Sequence, residues 1–116
     1  MGMGVQDQLR IEVRREADRV ILRLEGELDM ANASRLQDAI ENAGLEARTM
    51  VVLDLQQLEF IDSTGLRIIL SARARSQERG QEFAITPGSQ QVQRLLSVTG
   101  VSEHVRIIGA PDEILV

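Results

Sequence analysis

The feature that most constrains the fold is a nearly unbroken apolar run near the middle of the chain. It reads Thr49-Met50-Val51-Val52-Leu53-Asp54-Leu55 and is rich in β-branched side chains. Such a run is typical of a strand in the middle of a sheet that is covered on both faces. A buried central strand of this kind indicates an α/β fold, provided that helical patterns flank it in the sequence.

The segments before this run predict a hairpin and then a helix. Apolar and charged side chains alternate near residues 8–15, and Val20 to Leu24 is mostly apolar, so the two segments are expected to pair as strands. Gly26 to Asp29 is expected to break the second strand. The helix that follows is predicted to begin at Asn32 or Ser34, which are good capping residues, and to stop at Gly44.

The segments after the run continue the alternation. Residues 56–60 are expected to form a linker. A helix is predicted from Ser63 to Arg79, with Leu66, Ile69, Leu70 and Arg73 on one side. The remaining patterns predict a strand at 82–85, a helix capped by Ser89, a strand at 105–108 and a short helix from Pro111. The predicted order β-β-α-β-α-β-α-β-α implies an α/β fold with a mixed, largely parallel sheet of about five strands and three to four helices, in a single domain over residues 1–116.

The composition excludes several functions. The thirteen basic residues are all Arg, there is no Cys, and His104 is the single histidine, so a phosphate-loop lysine, a thiol nucleophile and a multi-histidine metal centre are absent. The net charge is −5 and the aromatic residues are Phe60 and Phe83 alone, which disfavours nucleic acid as a partner. No apolar run approaches the roughly 18 residues that cross a bilayer, so membrane insertion is not expected.

The most unusual local stretch is Phe60-Ile61-Asp62-Ser63-Thr64-Gly65-Leu66, at the start of a predicted helix. One interpretation is a helix cap and nothing more, because Asp and Ser are preferred there. The alternative is a phosphorylation switch at Ser63. The Asp62 carboxylate would repel a phosphate by roughly 1 to 4 kcal/mol per unit charge at about 4 Å, more than the 0.3 to 1 kcal/mol that a helix dipole offers. Phosphorylation is therefore expected to disturb a docking surface.

A second candidate is the Gly26-Glu27-Leu28-Asp29 loop, because it also follows a strand and is expected at the same edge of the sheet as Ser63. The simpler interpretation is a turn followed by a helix start. A Ser-His-Asp hydrolase is disfavoured, since nothing places His104 near Ser63 and no G-x-S-x-G elbow is present. The arginines at 67, 73, 75 and 79 are interpreted as solvent-facing, with a phosphate or partner-carboxylate contact as the alternative.

Together, the order of elements, the Gly26 to Asp29 loop and the Asp62-Ser63-Thr64-Gly65 motif resemble the STAS domain of bacterial anti-sigma factor antagonists. The likeness spans about Leu9 to Ile114. It implies a cytoplasmic regulatory protein that is not an enzyme, needs no cofactor and binds an ATP-dependent serine kinase, which is itself the anti-sigma factor. Binding would free a sigma factor for transcription. A separate serine phosphatase would remove the phosphate and return the protein to its unphosphorylated form.

The resemblance also assigns roles to individual residues. Ser63 matches the phosphoacceptor, with Thr64 as the second choice, and Asp62 and Gly65 match its helix-start context. Asp29 matches the acidic residue of the neighbouring docking loop. Leu66 is expected either in the core, as its helical spacing favours, or as an apolar partner contact. The alternative function is an accessory subunit of a membrane transporter, or a signalling scaffold, in which Ser63 contacts a partner.

Overall fold

The computed structural model describes residues 8–114 of the 116-residue chain. Five strands form one mixed sheet in the order β1-β2-β3-β4-β5, with β1 antiparallel to β2 and every other neighbouring pair parallel. The elements follow one another as β1 Leu9–Arg15, β2 Arg19–Leu28, α1 Ala33–Glu46, β3 Met50–Ile61, α2 Ser63–Glu78, β4 Glu82–Ile85, α3 Gln90–Val98, a short 3₁₀ turn Val101–Glu103 and β5 Arg106–Ile107. This order confirms the predicted mixed, largely parallel architecture.

The strands β2 and β3 are longer than their sequence patterns indicate. Residues 56–60, expected to be a linker, belong to the twelve-residue strand β3, and β2 runs through Gly26 to Leu28. Gly26 does not end its strand: its φ is +99°, the β2–β3 register shifts beside it, and an added Cβ would lie 2.0 Å from the Gln8 carbonyl oxygen. Gly26 therefore allows a bulge at a close crossing of β1 and β2, because only glycine tolerates this conformation and approach.

All three helices pack on one face of the sheet. Alternate strand residues, such as Leu22 and Leu24 of β2 or Leu53 and Leu55 of β3, join the helical residues in one large core. The inner side of α2 carries Leu66, Ile69, Ala72 and Ser76, whereas Leu70, expected there, is exposed. Among the described residues, no helix is long and apolar enough to cross a membrane.

The opposite face of the sheet is covered in part by the C-terminal segment. This opposite face carries a small apolar cluster made of Ile21, Met50, Val52, Ala84 and Ile108. The buried Arg19 guanidinium donates hydrogen bonds to the Pro111 and Glu113 carbonyl oxygens, at 3.1 and 2.9 Å, and so holds this segment on the sheet. The helix expected from Pro111 is not formed within residues 8–114, since residues 111 and 112 make a turn.

Helix α1 passes through Gly44, which was expected to stop it, and ends at Glu46. The Arg79 guanidinium occupies the space beside this glycine, because a Cβ there would lie 2.2 Å from Arg79 Nη1. Arg75 and Arg79 both bind the Glu41 carboxylate of α1. These contacts lower the pKa of Glu41, and the hydrogen bond from Arg75 is the largest cause. Arg75 is exposed, as expected, whereas Arg79 is half-buried, and through Glu41 both arginines join the C-terminal end of α2 to α1.

Candidate functional site

The candidate site lies where β2 and β3 end side by side. Here the loop of residues 29–32 meets the start of α2 at residues 62–65, and we call these two segments the Ser63 rim. The Asp62 carboxylate joins them: Oδ1 accepts the Gly65 backbone N–H at 3.0 Å and Oδ2 accepts the Met30 backbone N–H at 3.1 Å. The Asp62 N–H in turn donates to the Leu28 carbonyl oxygen at 3.1 Å. The expectation that both loops share one edge of the sheet is confirmed.

The loop of residues 29–32 is held by its own side chains. Asp29 Oδ1 accepts the Ala31 N–H at 3.0 Å, and Asn32 Oδ1 accepts the Asp29 N–H at 3.0 Å. Asn32 Nδ2 also donates to the Glu27 carbonyl oxygen at 2.9 Å. Asn32 therefore shapes the loop and does not cap α1 with its side chain, contrary to the prediction, because its amide is already engaged with the end of β2.

Ser63 is the first residue of α2 and is exposed to solvent. Its hydroxyl makes no hydrogen bond within residues 8–114, and the side chain of Asp62, rather than that of Ser63, caps the helix. Thr64 is half-buried beside it. Of the two residues, Ser63 is the more exposed.

Gly65 and Leu66 act from beneath the rim. A Cβ on Gly65 would lie 2.7 Å from Ile61 Cγ1 and 2.8 Å from Leu28 Cγ, so α2 approaches the ends of β2 and β3 too closely for any side chain. Leu66 is only 6% exposed and belongs to the main core, as its helical spacing favours. Both residues position Ser63 but offer little surface of their own.

Two large, exposed apolar side chains lie in or beside the Ser63 rim. The sequence interpretation gave neither of them a role. Met30 is 79% exposed beside the Asp62 carboxylate, and Phe60 is 45% exposed on β3, two residues before Asp62. Phe60 also lines an open groove of about 520 Å³ between the end of β3 and α3, together with Leu95 and Val98. The sequence contained a signal for an interaction surface here, because Met30 is a large apolar residue in a predicted loop. Large apolar residues that are exposed together often mark interaction sites.

Other candidate chemistry is not assembled at the rim. His104 lies exposed just before β5 and lines a separate pocket with Phe83, which pairs with Val51 near the start of β3. Ser63 follows the far end of β3, about 35 Å along the strand direction, so the histidine cannot act on its hydroxyl. Among the described residues, no cluster of three or more His, Cys, Asp or Glu side chains could hold a metal ion.

A mixed sheet of this topology, with an exposed serine at the start of a helix capped by Asp62, is the arrangement of a STAS domain. The chain belongs to the STAS domain family, whose model matches residues 9–114. An anti-sigma F factor antagonist of Paenibacillus polymyxa is 33% identical over 97 residues, covering 80% of each chain. An anti-sigma-B factor antagonist of Listeria monocytogenes is 26% identical over 106 residues, covering 90% of this chain and 93% of the relative.

Solved structures share the fold. An anti-sigma factor antagonist from Mycobacterium paratuberculosis superposes with a TM-score of 0.81 at 22% identity, covering 95% of this chain and 93% of that one. The Bacillus protein SpoIIAA in its phosphorylated form superposes with a TM-score of 0.66 at 19% identity, covering 85% and 91%. At these identities the likeness establishes the fold alone.

Proposed function

We propose that this protein is an anti-sigma factor antagonist, a regulatory binding protein rather than an enzyme. In its unmodified form the Ser63 rim binds an anti-sigma factor that is an ATP-dependent serine kinase, and the sigma factor held by that kinase is released. The observation that carries the proposal is the exposed Ser63 hydroxyl, without a hydrogen bond in the described chain, at the centre of two loops tied together by Asp62. The antagonist names of the curated relatives support it.

The rim has the properties of a docking surface. Its centre is polar, with Asp29 and Ser63, and exposed apolar side chains stand beside it at Met30 and Phe60. Partially apolar surfaces with a few defined polar contacts are typical of interfaces between proteins. The Asp62 bridge fixes the two loops relative to one another, so little conformational entropy is lost when a partner binds.

Phosphorylation of Ser63 by the bound kinase would switch this interface off. A phosphate adds about −1.5 to −2 charge at pH 7 to a surface that already carries Asp62 and Asp29. It also enlarges a side chain at the centre of the contact. We expect the modification to weaken kinase binding about a hundredfold, or roughly 3 kcal/mol. A serine phosphatase would then return the protein to its binding form.

The test uses purified, unphosphorylated protein as bait in an extract of its native cells depleted of ATP, with magnesium and a non-hydrolysable ATP analogue added so that a bound kinase cannot phosphorylate the bait. Wild type and Ser63→Ala should retain a soluble ATP-binding kinase, and Ser63→Asp should lose it. The matched control is Ser71→Asp, because Ser71 is an exposed serine of the same helix two turns away. Ser71→Asp should bind like wild type, which would show that the loss is specific to the rim.

Site mapping of the native protein by mass spectrometry completes the test. One phosphate on Ser63, absent from Ser63→Ala, is the expected result. Phosphate on Thr64 instead would move the acceptor by one residue. Ser63→Asp binding the kinase as tightly as wild type would refute the switch, and recovery of a membrane ATPase in place of a kinase would favour the transporter-accessory function.

A further inference from the structure

Arg67 lies one helical turn after Ser63, and its side chain makes no polar contact with the rest of the described fold. It is exposed and makes no hydrogen bond or ion pair within residues 8–114. Arg75 of α2 and Arg79, which follows the end of α2, both bind Glu41. Arg67 is therefore a cation on the same helix as the proposed acceptor that has no competing carboxylate partner.

Helix geometry directs Arg67 toward Ser63. Side chains at positions i and i+4 share one face of a helix, with about 5 to 6 Å between their Cβ atoms. A long helical side chain also tends to point back over the preceding turn, so the Arg67 guanidinium can reach the start of α2. A phosphate on the Ser63 hydroxyl falls within this reach.

Three backbone donors around Asp62 are already occupied, which leaves the N–H groups of Ser63 and Thr64 at the start of α2. The Gly65 N–H binds Asp62 Oδ1, the Leu66 N–H binds the Asp62 carbonyl oxygen, and the Met30 N–H binds Asp62 Oδ2. The Asp62 carboxylate, at the N-cap of α2, also repels a phosphate that approaches from its side of Ser63. This repulsion favours a phosphate position on the Arg67 side of Ser63.

We propose that Arg67 pairs with the phosphate of phosphorylated Ser63 and stabilises the switched-off form. This inference rests on the proposed modification of Ser63, but not on the identity of the kinase. The guanidinium donates N–H bonds to the phosphate oxygens and offsets part of the repulsion from Asp62 and Asp29. Arg67 thereby holds the phosphate close to the helix and slows its removal by a phosphatase.

The experiment needs no kinase, because phosphoserine can be placed at position 63 during translation. Urea unfolding of four proteins, with and without the phosphate and with and without Arg67→Gln, forms a double-mutant cycle. We expect a coupling factor of about two- to fivefold in the unfolding equilibrium constant at low salt. Arg67→Lys should keep part of it, and about 1 M NaCl should abolish it.

The control for this cycle is Arg73→Gln, on the same helix and also without an ion pair to any residue from 8 to 114. Its position is ten residues from Ser63, about 15 Å along the helix axis, so its coupling factor should be close to one. A second measurement on the folded phosphoprotein follows the Arg67 Nε–H resonance, which should shift when Ser63 carries the phosphate and return at high salt.

The proposal is overturned if the Arg67 cycle gives the same coupling as the Arg73 cycle, or if the Arg67 resonance is unchanged by the phosphate. Either result would leave the proposed kinase binding untouched, because no kinase takes part. Conversely, a pull-down without a kinase would refute the proposed function and not the Arg67 pair. The two proposals therefore fail separately.

Discussion

Replacing Asp62 with Ala would remove both hydrogen bonds that join the two halves of the Ser63 rim. The carboxylate accepts the Gly65 N–H at 3.0 Å and the Met30 N–H at 3.1 Å. Gly65 is buried, so its N–H would find no ready replacement, whereas Met30 is exposed and water can bind its N–H. The larger part of the loss is therefore expected from the helix cap.

The magnitude follows from these two contacts. Loss of an N-cap costs about 1 kcal/mol, within a range of about 0.5 to 2. The partly hydrated Met30 bond adds about 0.5 to 1 kcal/mol. A total near 1.5 to 2 kcal/mol should lower the melting temperature of a 116-residue chain by roughly 6 to 8 °C.

Urea and thermal unfolding followed by far-UV circular dichroism would measure this, because the chain has neither Trp nor Tyr for fluorescence. Asp62→Ser should fall between wild type and Asp62→Ala, since a serine caps the helix but offers one oxygen for two donors. Asp38→Ala removes an exposed carboxylate of α1 without a hydrogen bond in the described chain and should stay within about 0.5 kcal/mol of wild type. If Asp62→Ala matched that control, the bridge would contribute nothing and the reasoning would fail.

Three further predictions concern packing and charge, all measured by the same unfolding assay. Gly65→Ala should destabilise by about 1 to 3 kcal/mol, because its Cβ would lie 2.7 Å from the packed Ile61 side chain, which outweighs the gain in helix propensity. Gly44→Ala should be neutral or stabilising by up to about 1 kcal/mol, since it meets only the flexible end of Arg79; a loss comparable to that of Gly65→Ala would contradict this distinction. Glu41→Gln should lower the urea midpoint at pH 7, and the difference from wild type should shrink as the pH falls from 4.5 toward about 3, because the lowered pKa of Glu41 stabilises only while the carboxylate is charged. A midpoint difference that persisted at the lower pH would show that the loss is not due to the charge.

The elements that depend on local pattern were predictable, and so was the place of the candidate site. The apolar run at Met50 to Leu55 lies in the central strand, and Ser89 caps α3 by accepting the Val92 N–H. Ser63 stands at the start of α2 at the sheet edge, as the motif indicates. These features are predictable because a strand's apolar character and a helix cap depend on residues close together in the chain.

Two glycines, Gly26 and Gly44, were not predictable from local pattern, because each is required by a contact far along the sequence. Gly26 permits a bulge at the β1 crossing, and Gly44 makes room for the Arg79 guanidinium. Both were interpreted as the end of an element, since glycine is a frequent helix or strand terminator. Only the packed fold shows that each instead admits a neighbour at close range.

The sequence by itself determined the family, the alternation of strands and helices, and the place of the Asp62-Ser63-Thr64-Gly65 motif at a helix start, because all three depend on short-range residue patterns. The tertiary structure decided the rest. It brought Met30 within hydrogen-bond distance of Asp62, paired Glu41 with two arginines of α2, and laid the C-terminal residues over Arg19. These contacts join positions 32 to 92 residues apart, and only the docking of helices and strands fixes which side chains meet across such separations.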